Sequence, residues 1–263
     1  LVIVDEASMI DLPLMAKLLE ALPETCRLML VGDRHQLASV EPGNVFGDLC
    51  DAARQKKLGD CLAVLTESRR FPADSAIGRV SAAIRDGDPN AWDLLLANRD
   101  GILSVAESRE ALRAEGALDR WIDTHYRAFL ETRTPDEALA RAGQCRILCA
   151  LRKGPLGIHQ INRRVEQRLF KARKRLAGGF YDHQLVMVTV NTPALDLDNG
   201  DVGVVLETKS YGNTPPRLRA WFPGRDGTPR SIPVNLLPDH ETAFARTIHK
   251  SQGSEFPYLA IVL

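Results

Sequence analysis

Two short apolar segments, each followed by acidic residues, constrain the fold of this chain most. Residues 1–4 (LVIV) run directly into Asp5 and Glu6. Residues 27–31 (RLMLV) are followed closely by Asp33. Short apolar stretches bounded by turn signals are typical of central parallel strands that are covered on both faces. The sequence therefore predicts two buried parallel strands whose carboxyl ends carry acids.

A helix is predicted between these strands. Pro13 stands near its first turn, apolar residues repeat at helical spacing, and Pro23 ends it. The repeating apolar residues are Leu14, Met15, Leu18, Leu19 and Leu22. A strand, a helix and a second strand at this spacing form a βαβ unit with a right-handed crossover. The pattern indicates an α/β fold with a parallel sheet.

The rest of the chain has a helical part and a part rich in short strands. Helical spacing extends over about residues 74–130, with Ala76, Ile77, Val80, Ala83 and Ile84 on one face. A buried strand at 145–151 precedes a helix at 158–170. After Gly178, short strands alternate with NG, GD, YGN and PGRDG turns, which predicts a small β-barrel inserted in the α/β framework. These strands are residues 185–190, 202–207 and 218–222. The chain returns to a strand at 258–263.

Composition limits the classes of partner and location. The 34 basic and 34 acidic residues balance, so the overall field attracts no polyanion and nucleic acid has to be met by local patches. The five cysteines show no CxxC or Cys/His ligand spacing, which argues against a zinc site and favours a reducing cytoplasm. No apolar run approaches the roughly 18 to 20 residues that cross a bilayer, so no membrane partner is expected.

The adjacent acids Asp5 and Glu6 have two interpretations. At the carboxyl edge of a parallel sheet they lie where ligands of α/β folds bind, and a nucleotide hydrolase uses one acid to hold Mg²⁺ and another to polarise the attacking water. Alternatively, one of them caps the following helix. The second strand also leads to an acid, Asp33. Gln36 follows three residues later, and it either contacts a γ-phosphate or is a solvated loop residue.

Several segments, in order along the chain, resemble motifs of superfamily 1 DNA helicases of the RecD family, the alpha chain of bacterial exodeoxyribonuclease V. DEASMIDLP at 5–13 resembles motif II, the Walker B segment, and GDRHQLASVEPGNVFGD at 32–48 resembles motif III. CALRKGPLGIHQINRRVE at 149–166 resembles the block that follows. VMVTVNTPALDLDNGDVGVV at 186–205 resembles the segment that leads into an SH3-like insertion. TIHKSQGSEF at 247–256 resembles motif V.

The sequence departs from the family at two places. TESRRF at 66–71 resembles the S-Y-R-F motif, with Arg69 in place of the aromatic residue. By register Arg70 matches the arginine that reaches the γ-phosphate, although Arg69 is an alternative. No G-x-x-x-x-G-K-[ST] loop occurs, and no motif VI follows Leu263. We therefore expect a C-terminal motor fragment of a longer protein, which on its own hydrolyses ATP poorly or not at all.

The resemblance implies RecA-like P-loop NTPase motor domains of the α/β class with parallel sheets, plus a small SH3-like β-barrel insertion. The expected domains are the C-terminal half of the first motor domain at 1–65, the second motor domain at 66–177 and 241–263, and the barrel at 178–240. ATP is expected to bind between two motor domains, whose alternate grip on single-stranded DNA produces stepping.

The resemblance also implies catalytic roles for four residues. Asp5 is expected to hold Mg²⁺, and Glu6 to act as general base on the lytic water. Gln36 is expected to sense the γ-phosphate of ATP, and Arg70 to stabilise the charge that develops during hydrolysis. These residues come from three separate motifs, so the prediction requires that the fold bring those motifs together.

Further positions are expected to contact nucleotide or DNA. The nucleotide-contacting positions are Asp33, Gly253 and Glu255. The DNA-contacting positions are Thr247, His249, Ser251 and Gln252, and Gln252 is also expected to couple DNA position to the nucleotide. Small polar groups at a loop-to-helix start hold phosphates without reading bases. The residues alone also allow a simpler interpretation, in which Thr247 or Ser251 only caps a helix start.

Two other features have a possible role in nucleic-acid binding. The basic run KARKR at 171–175 either follows a nucleic-acid backbone or is the solvated end of a helix. Tryptophans can stack on bases, but Trp92 and Trp121 lie in helical stretches and are predicted to be core residues. For Trp221, in the inserted barrel, the sequence leaves both roles open: stacking on bases and packing in the core.

The implied function of the whole protein is that of an ATP-dependent 5′ to 3′ DNA helicase subunit of exodeoxyribonuclease V. It couples ATP hydrolysis to movement on single-stranded DNA and to unwinding of double-stranded DNA in repair and recombination. The implied partners are RecB and RecC, with the nuclease in RecB, in the bacterial cytoplasm. A second hypothesis is a non-catalytic DNA-binding or scaffolding subunit. The joint presence of Glu6, Gln36 and Arg70 argues against it, because a dead motor has no chemical reason to keep them.

Overall fold

The computed structural model divides into two compact units, Leu1–Val105 and Ala106–Leu263. It describes residues 1–37, 39, 43–67, 71–97, 110, 112–113, 115–170, 179–208 and 217–263. Within those residues, no helix combines the length and the apolar character that a membrane span requires.

The first unit is built on a βαβ motif. Strand β1 (Val2–Val4) pairs in parallel with β2 (Leu28–Leu30). Helix α1 (Leu12–Ala21) connects them, as the sequence predicts. Asp11 caps this helix, because its Oδ1 accepts a hydrogen bond from Leu14 N at 2.7 Å. The remaining helices described in this unit are α2 (Val45–Arg54), α3 (Ala76–Asp86) and α4 (Ala91–Ala97).

The prediction that both faces of the β1–β2 sheet are covered is wrong. Ile3 and Met29, neighbours on the two strands, expose 59% and 51% of their surfaces. Leu14 and Leu19 of α1 are also exposed. The apolar composition of the strands signals two covered faces, but the described elements of this unit leave these side chains in contact with solvent.

Helices α3 and α4 bury less apolar surface than their sequence indicates. Ile77 and Ile84 of α3 are exposed, although they share the predicted apolar face. The buried residues of that face are Ala76, Val80 and Ala83. Trp92 of α4 is 53% exposed, so its predicted core role is wrong. Both helices lie in the first unit.

The second unit combines a three-stranded parallel sheet with a five-stranded antiparallel sheet. In chain order its elements are α5 (Ala117–Leu130), α6 (Pro135–Ala142), β3 (Cys145–Cys149), α7 (Ile158–Phe170), β4 (Gln184–Val188), β5 (Val202–Glu207), β6 (Leu218–Phe222), β7 (Arg230–Pro233), β8 (His240–Thr242), β9 (Ala245–Thr247) and β10 (Tyr258–Val262).

The parallel sheet has the order β10-β3-β9, with β3 buried along its whole length. Cys149 at the end of β3 pairs with Thr247 at the end of β9. The loops that follow these two strands therefore leave the sheet at the same edge. Helix α5 packs on the sheet through Tyr126, whose ring meets Phe244 edge-on at 5.3 Å and whose hydroxyl donates to Phe244 O at 3.0 Å.

The antiparallel sheet has the order β7-β6-β5-β4-β8 and stands where the sequence predicts a barrel. Its own core includes Val186, Val205 and Phe222. Gly203 of β5 is needed there, because a Cβ at this position would lie 2.6 Å from the Phe222 ring. Trp221 is partly buried against the core that surrounds the parallel sheet. Of the two roles left open by the sequence, stacking on bases and packing in the core, this contact favours packing.

Candidate nucleotide and nucleic-acid sites

The predicted acids of the first unit follow strands that end at one sheet edge. The strands are parallel, with Val4 opposite Leu30. Val31 N donates to Val4 O, and Ala7 N donates to Val31 O, each at 2.8 Å. These bonds hold the two following turns beside each other. The acids on these turns are Asp5, Glu6 and Asp33.

Glu6 has a left-handed backbone conformation, with φ 51° and ψ 39°. This region is uncommon for residues other than glycine. Its backbone N–H donates to Asp5 Oδ1 at 2.9 Å, and the next two residues, Ala7 and Ser8, are buried at the start of a single 3₁₀ turn. Backbone outliers that are fixed by their surroundings cluster at functional sites. The left-handed conformation of Glu6 therefore changes the direction of the backbone at the predicted general base.

Gly32 allows the second acidic turn to pack directly on the first. A Cβ at this position would lie 3.0 Å from Ser8 N and 3.2 Å from both Ala7 N and the Phe46 ring. These are closer than ordinary van der Waals contacts, so a larger residue would push the turns apart. Glycine therefore suits the close approach of the two backbones.

The turn that carries Asp33 and Gln36 is held at two points. Asp33 Oδ1 accepts from His35 N at 2.9 Å, and Gln36 N donates to Asp33 O at 3.1 Å. Arg34 Nη1 forms an ion pair with Asp51 Oδ1 of α2 at 2.7 Å. Because these contacts use the backbone and Arg34, the exposed side chain of Gln36 projects from a fixed turn.

The acids of this edge supply only oxygen donors, which suit Mg²⁺. Asp5 is exposed, and one of its oxygens accepts the Glu6 N–H. Across the described ranges, no three His, Cys, Asp or Glu side chains form a cluster able to hold a metal. The residues therefore fit an ion held by one or two carboxylates together with substrate phosphates, which is the usual arrangement for Mg²⁺.

Two predicted features lie outside the described residues. One is the pair Arg69 and Arg70 in the S-R-R-F segment, and the other is the basic run at 171–175. Their roles stay predictions from the sequence.

In the second unit, the segment resembling motif V forms a turn at the carboxyl edge of the parallel sheet. Strand β9 ends at Thr247, and His249–Ser251 form a single 3₁₀ turn in place of a longer helix start. Ile248 N donates to Cys149 O at 3.2 Å, which attaches the turn to β3. We call residues 247–252 the edge turn.

The two hydroxyls of the edge turn make local contacts. Thr247 Oγ1 accepts from Lys250 N at 3.4 Å, and the buried Ser251 donates its hydroxyl to Ile248 O at 2.6 Å. Both contacts stay within the turn, and Ile248, at its N-cap position, makes no side-chain capping bond. Other predicted site residues here are more accessible; the exposed ones are His249, Gly253 and Glu255, and Gln252 is partly buried.

Two buried arginines anchor the segment that carries Glu255. Arg146 of β3 and Arg246 of β9 lie over the ring of Phe256, at 5.4 and 5.1 Å from its centroid. Arg246 also donates to Ser254 Oγ at 2.8 Å. Burial, together with the neighbouring Arg146 charge, lowers the pKa of Arg246 to about 10. These contacts fix the residues on both sides of Glu255.

Sequence reasoning missed two groups that support the edge turn. Asn162 of α7 is buried and makes three hydrogen bonds to the chain before Thr247: its Nδ2 donates to Thr242 O and Ala245 O, both at 2.9 Å, and its Oδ1 accepts from Ala245 N at 2.7 Å. The motif that contains Asn162 was recognised, but the pattern gave no signal for its partners. The bonds tie α7 to the strand that leads into the turn.

The second missed group is an ion-pair cluster centred on Glu241 of β8. Its Oε2 lies 3.1 Å from Arg152 Nη2, and its Oε1 lies 3.7 Å from Lys250 Nζ. Arg152 follows β3, and Lys250 belongs to the edge turn. The three residues come from separate parts of the chain, so no local pattern could have indicated their contact.

The sequence is similar to known RecD subunits over its whole length. It is 38% identical over 264 residues to the RecBCD enzyme subunit RecD of Mycolicibacterium smegmatis, covering 100% of this chain and 44% of that protein. It is 32% identical over 309 residues to the RecBCD enzyme subunit RecD of Haemophilus influenzae, covering 99% of this chain and 46% of that protein. The chain thus spans about half the length of these relatives. The resemblance to RecD is confirmed.

Comparisons of domain and fold agree with this assignment. A family model described as an AAA domain matches residues 1–107. A crystal structure of the Pif1 helicase from Bacteroides, in complex with ADP-AlF3 and ssDNA, matches with a TM-score of 0.52 and 16% identity, covering 99% of this chain and 64% of that one. At that identity the match concerns the fold alone. The predicted α/β motor fold of the P-loop NTPase type is confirmed.

Proposed function

We propose that this chain, RecD-like over its whole length, is part of an ATP-dependent DNA helicase subunit that moves along single-stranded DNA and unwinds duplex DNA. The observation that carries the proposal is the pair of acidic turns at the edge of the β1–β2 sheet, packed together through Gly32. Such an edge is where α/β folds bind their ligands. The expected substrates are ATP and DNA.

In this proposal Glu6 is the general base that activates the lytic water, and Asp5 would hold Mg²⁺. When bound, the ion would neutralise phosphate charge. The backbone of Glu6 is left-handed, and in this proposal the two adjacent acids serve different ligands. Gln36 projects from the neighbouring turn as the γ-phosphate sensor, and Asp33 shares that turn. Arg70 is assigned to the developing phosphate charge by its motif.

The DNA-contacting role falls to the edge turn. Thr247 accepts from Lys250 N and still has its hydroxyl hydrogen to donate to a phosphate oxygen. His249 is exposed, whereas Ser251 is buried and supports the shape of the turn. Gln252, the last residue of the edge turn, is proposed to contact DNA and to couple its position to the nucleotide, and Gly253 and Glu255 are proposed nucleotide contacts. Phosphate contacts of this kind grip DNA without reading sequence.

The proposed setting is the bacterial cytoplasm, in a complex with RecB and RecC. The names of the similar proteins support these partners. The proposed domain limits stay 1–65, 66–177 with 241–263, and 178–240. A 5′ to 3′ direction follows from the family resemblance.

The test is single-stranded-DNA-stimulated ATP hydrolysis by the full-length protein and its Glu6→Gln variant. The variant should bind ATP with nearly unchanged affinity, while kcat falls at least about a hundredfold because the general base is lost. Glu20→Gln, which neutralises an exposed acid on α1, is the matched control and should behave like the parent. An active Glu6→Gln variant would mean that the acid is structural, and would favour the scaffolding alternative.

A further inference from the structure

Glu241 occupies a place where it restrains two cations of the proposed DNA-binding edge. Arg152 leaves the sheet after β3, and Lys250 lies in the edge turn after β9. Both strands end at the same edge, with Cys149 opposite Thr247. Among the residues that the structure describes, Glu241 is the acidic partner of both cations.

Both ion pairs can exchange their carboxylate partner for a phosphate. The Lys250 pair spans 3.7 Å, and the Arg152 pair 3.1 Å, compared with about 2.7–2.9 Å for strong charge-assisted bonds. The cations are accessible to solvent, with 29% of the Lys250 side chain and 52% of the Arg152 side chain exposed, whereas Glu241 is only 19% exposed. A phosphate can therefore approach the cations while the carboxylate stays in place.

A groove beside Glu241 gives a phosphate room to approach. It has a volume of about 350 Å³, and its lining includes Glu241 of β8 and His159 and Arg163 of α7. His159 and Arg163 are exposed and stand four positions apart, one helical turn. Glu166 of α7 also lines the groove, so basic and acidic side chains both border it, and Glu241 is the carboxylate that holds Arg152.

We propose that Glu241 is a positioning residue that competes with the phosphates of single-stranded DNA for Arg152 and Lys250. This inference rests on the proposed DNA-binding function. In the absence of DNA, the carboxylate holds both cations in place. When DNA binds, the cations turn to phosphate, and Glu241 is left to take up a solvent cation. Glu241 therefore weakens the grip on DNA, which suits a motor that has to release each phosphate in turn.

The experiment measures binding of fluorescent oligo-dT to the full-length protein by fluorescence anisotropy over a series of salt concentrations. Glu241→Gln should bind about four- to twentyfold tighter at low salt, since two ion pairs no longer compete and each is worth about two- to fivefold. The slope of log K against log salt should steepen by up to about 1, because the variant no longer takes up the solvent cation that Glu241 binds when the phosphates displace it. Glu207→Gln removes an exposed acid with no ion pair in the described residues and should leave the slope unchanged.

Two further variants separate competition from a merely structural role. Glu241→Asp keeps the charge and should keep the parent slope, whereas a steeper slope in this variant would contradict the proposal. Arg152→Gln leaves Glu241 intact and should bind about two- to fivefold more weakly; unchanged binding would overturn the proposal even if Glu241→Gln did not fold.

The outcomes distinguish failure of the proposed DNA-binding function from failure of the proposed competition by Glu241. If the parent protein binds no single-stranded DNA, the proposed function fails. If the parent binds and Glu241→Gln binds equally or more weakly with an unchanged slope, the proposed function stands and the competition by Glu241 is refuted.

Discussion

Gly32→Ala tests whether the packing of the two acidic turns matters for hydrolysis. The added Cβ would lie 3.0 Å from Ser8 N and 3.2 Å from Ala7 N. An ordinary contact needs at least 3.4 Å, so the turns must separate by a few tenths of an ångström. Overpacking of this kind costs about 1–3 kcal/mol of stability. Since a displacement of about 1 Å in an active site can cost a hundredfold in rate, a few tenths should lower kcat by about three- to tenfold.

The assay combines urea unfolding with DNA-stimulated ATP hydrolysis in the full-length protein. The KM for ATP should change less than kcat, because Glu6, next to the displaced Ala7, acts on the lytic water. Gly143→Ala is the matched control: its φ is −73°, and an added Cβ meets its nearest atoms at an ordinary 3.5 Å. A Gly32→Ala protein that loses stability but keeps its kcat would refute the link between this packing and catalysis.

Two more predictions concern the second unit. Asn162→Ala should lower the free energy of unfolding by about 1–3 kcal/mol, because Ala245 N is left buried without its acceptor. Urea unfolding measures this change. Gln160→Ala, on the exposed side of α7, should change the free energy of unfolding by less than about 0.5 kcal/mol. Burial raises the pKa of both Cys145 and Cys149 to about 11. The folded state thus holds these protons more tightly than the unfolded chain, and their contribution to stability is present below about pH 9 and lost as the pH rises toward 11. The double variant Cys145→Ala/Cys149→Ala should flatten the loss of unfolding free energy over that range; an equal slope in parent and variant would contradict this interpretation.

Local patterns predicted the elements that have strong local signals. Helix α7 and strands β5 and β6 have the bounds that the apolar runs and turn residues indicate. Strands β7 and β8 were missed. Strand β7 ends in Pro233, and β8 (HET) has no apolar alternation. Their pairing depends on neighbours that are already in the sheet, which a local pattern does not contain.

The candidate sites were predictable in part. Motif resemblance located Glu6 and the edge turn, because chemistry fixes residue types at short spacing. It did not indicate the left-handed backbone of Glu6, which depends on the turn packed beneath it. It also did not indicate that Glu241 meets Arg152 and Lys250, because such contacts arise only when distant elements assemble. Trp92 was misassigned because helical spacing does not reveal whether a neighbouring element covers that face.

The short connection between β8 and β9 has a mechanical consequence. Only Ala243 and Phe244 separate the last strand of the antiparallel sheet from the strand that ends in the edge turn, and both are fully buried. Two extended residues span about 7 Å at most, so this connection has no slack. A force applied to the antiparallel sheet would reach the edge turn as tension along the backbone.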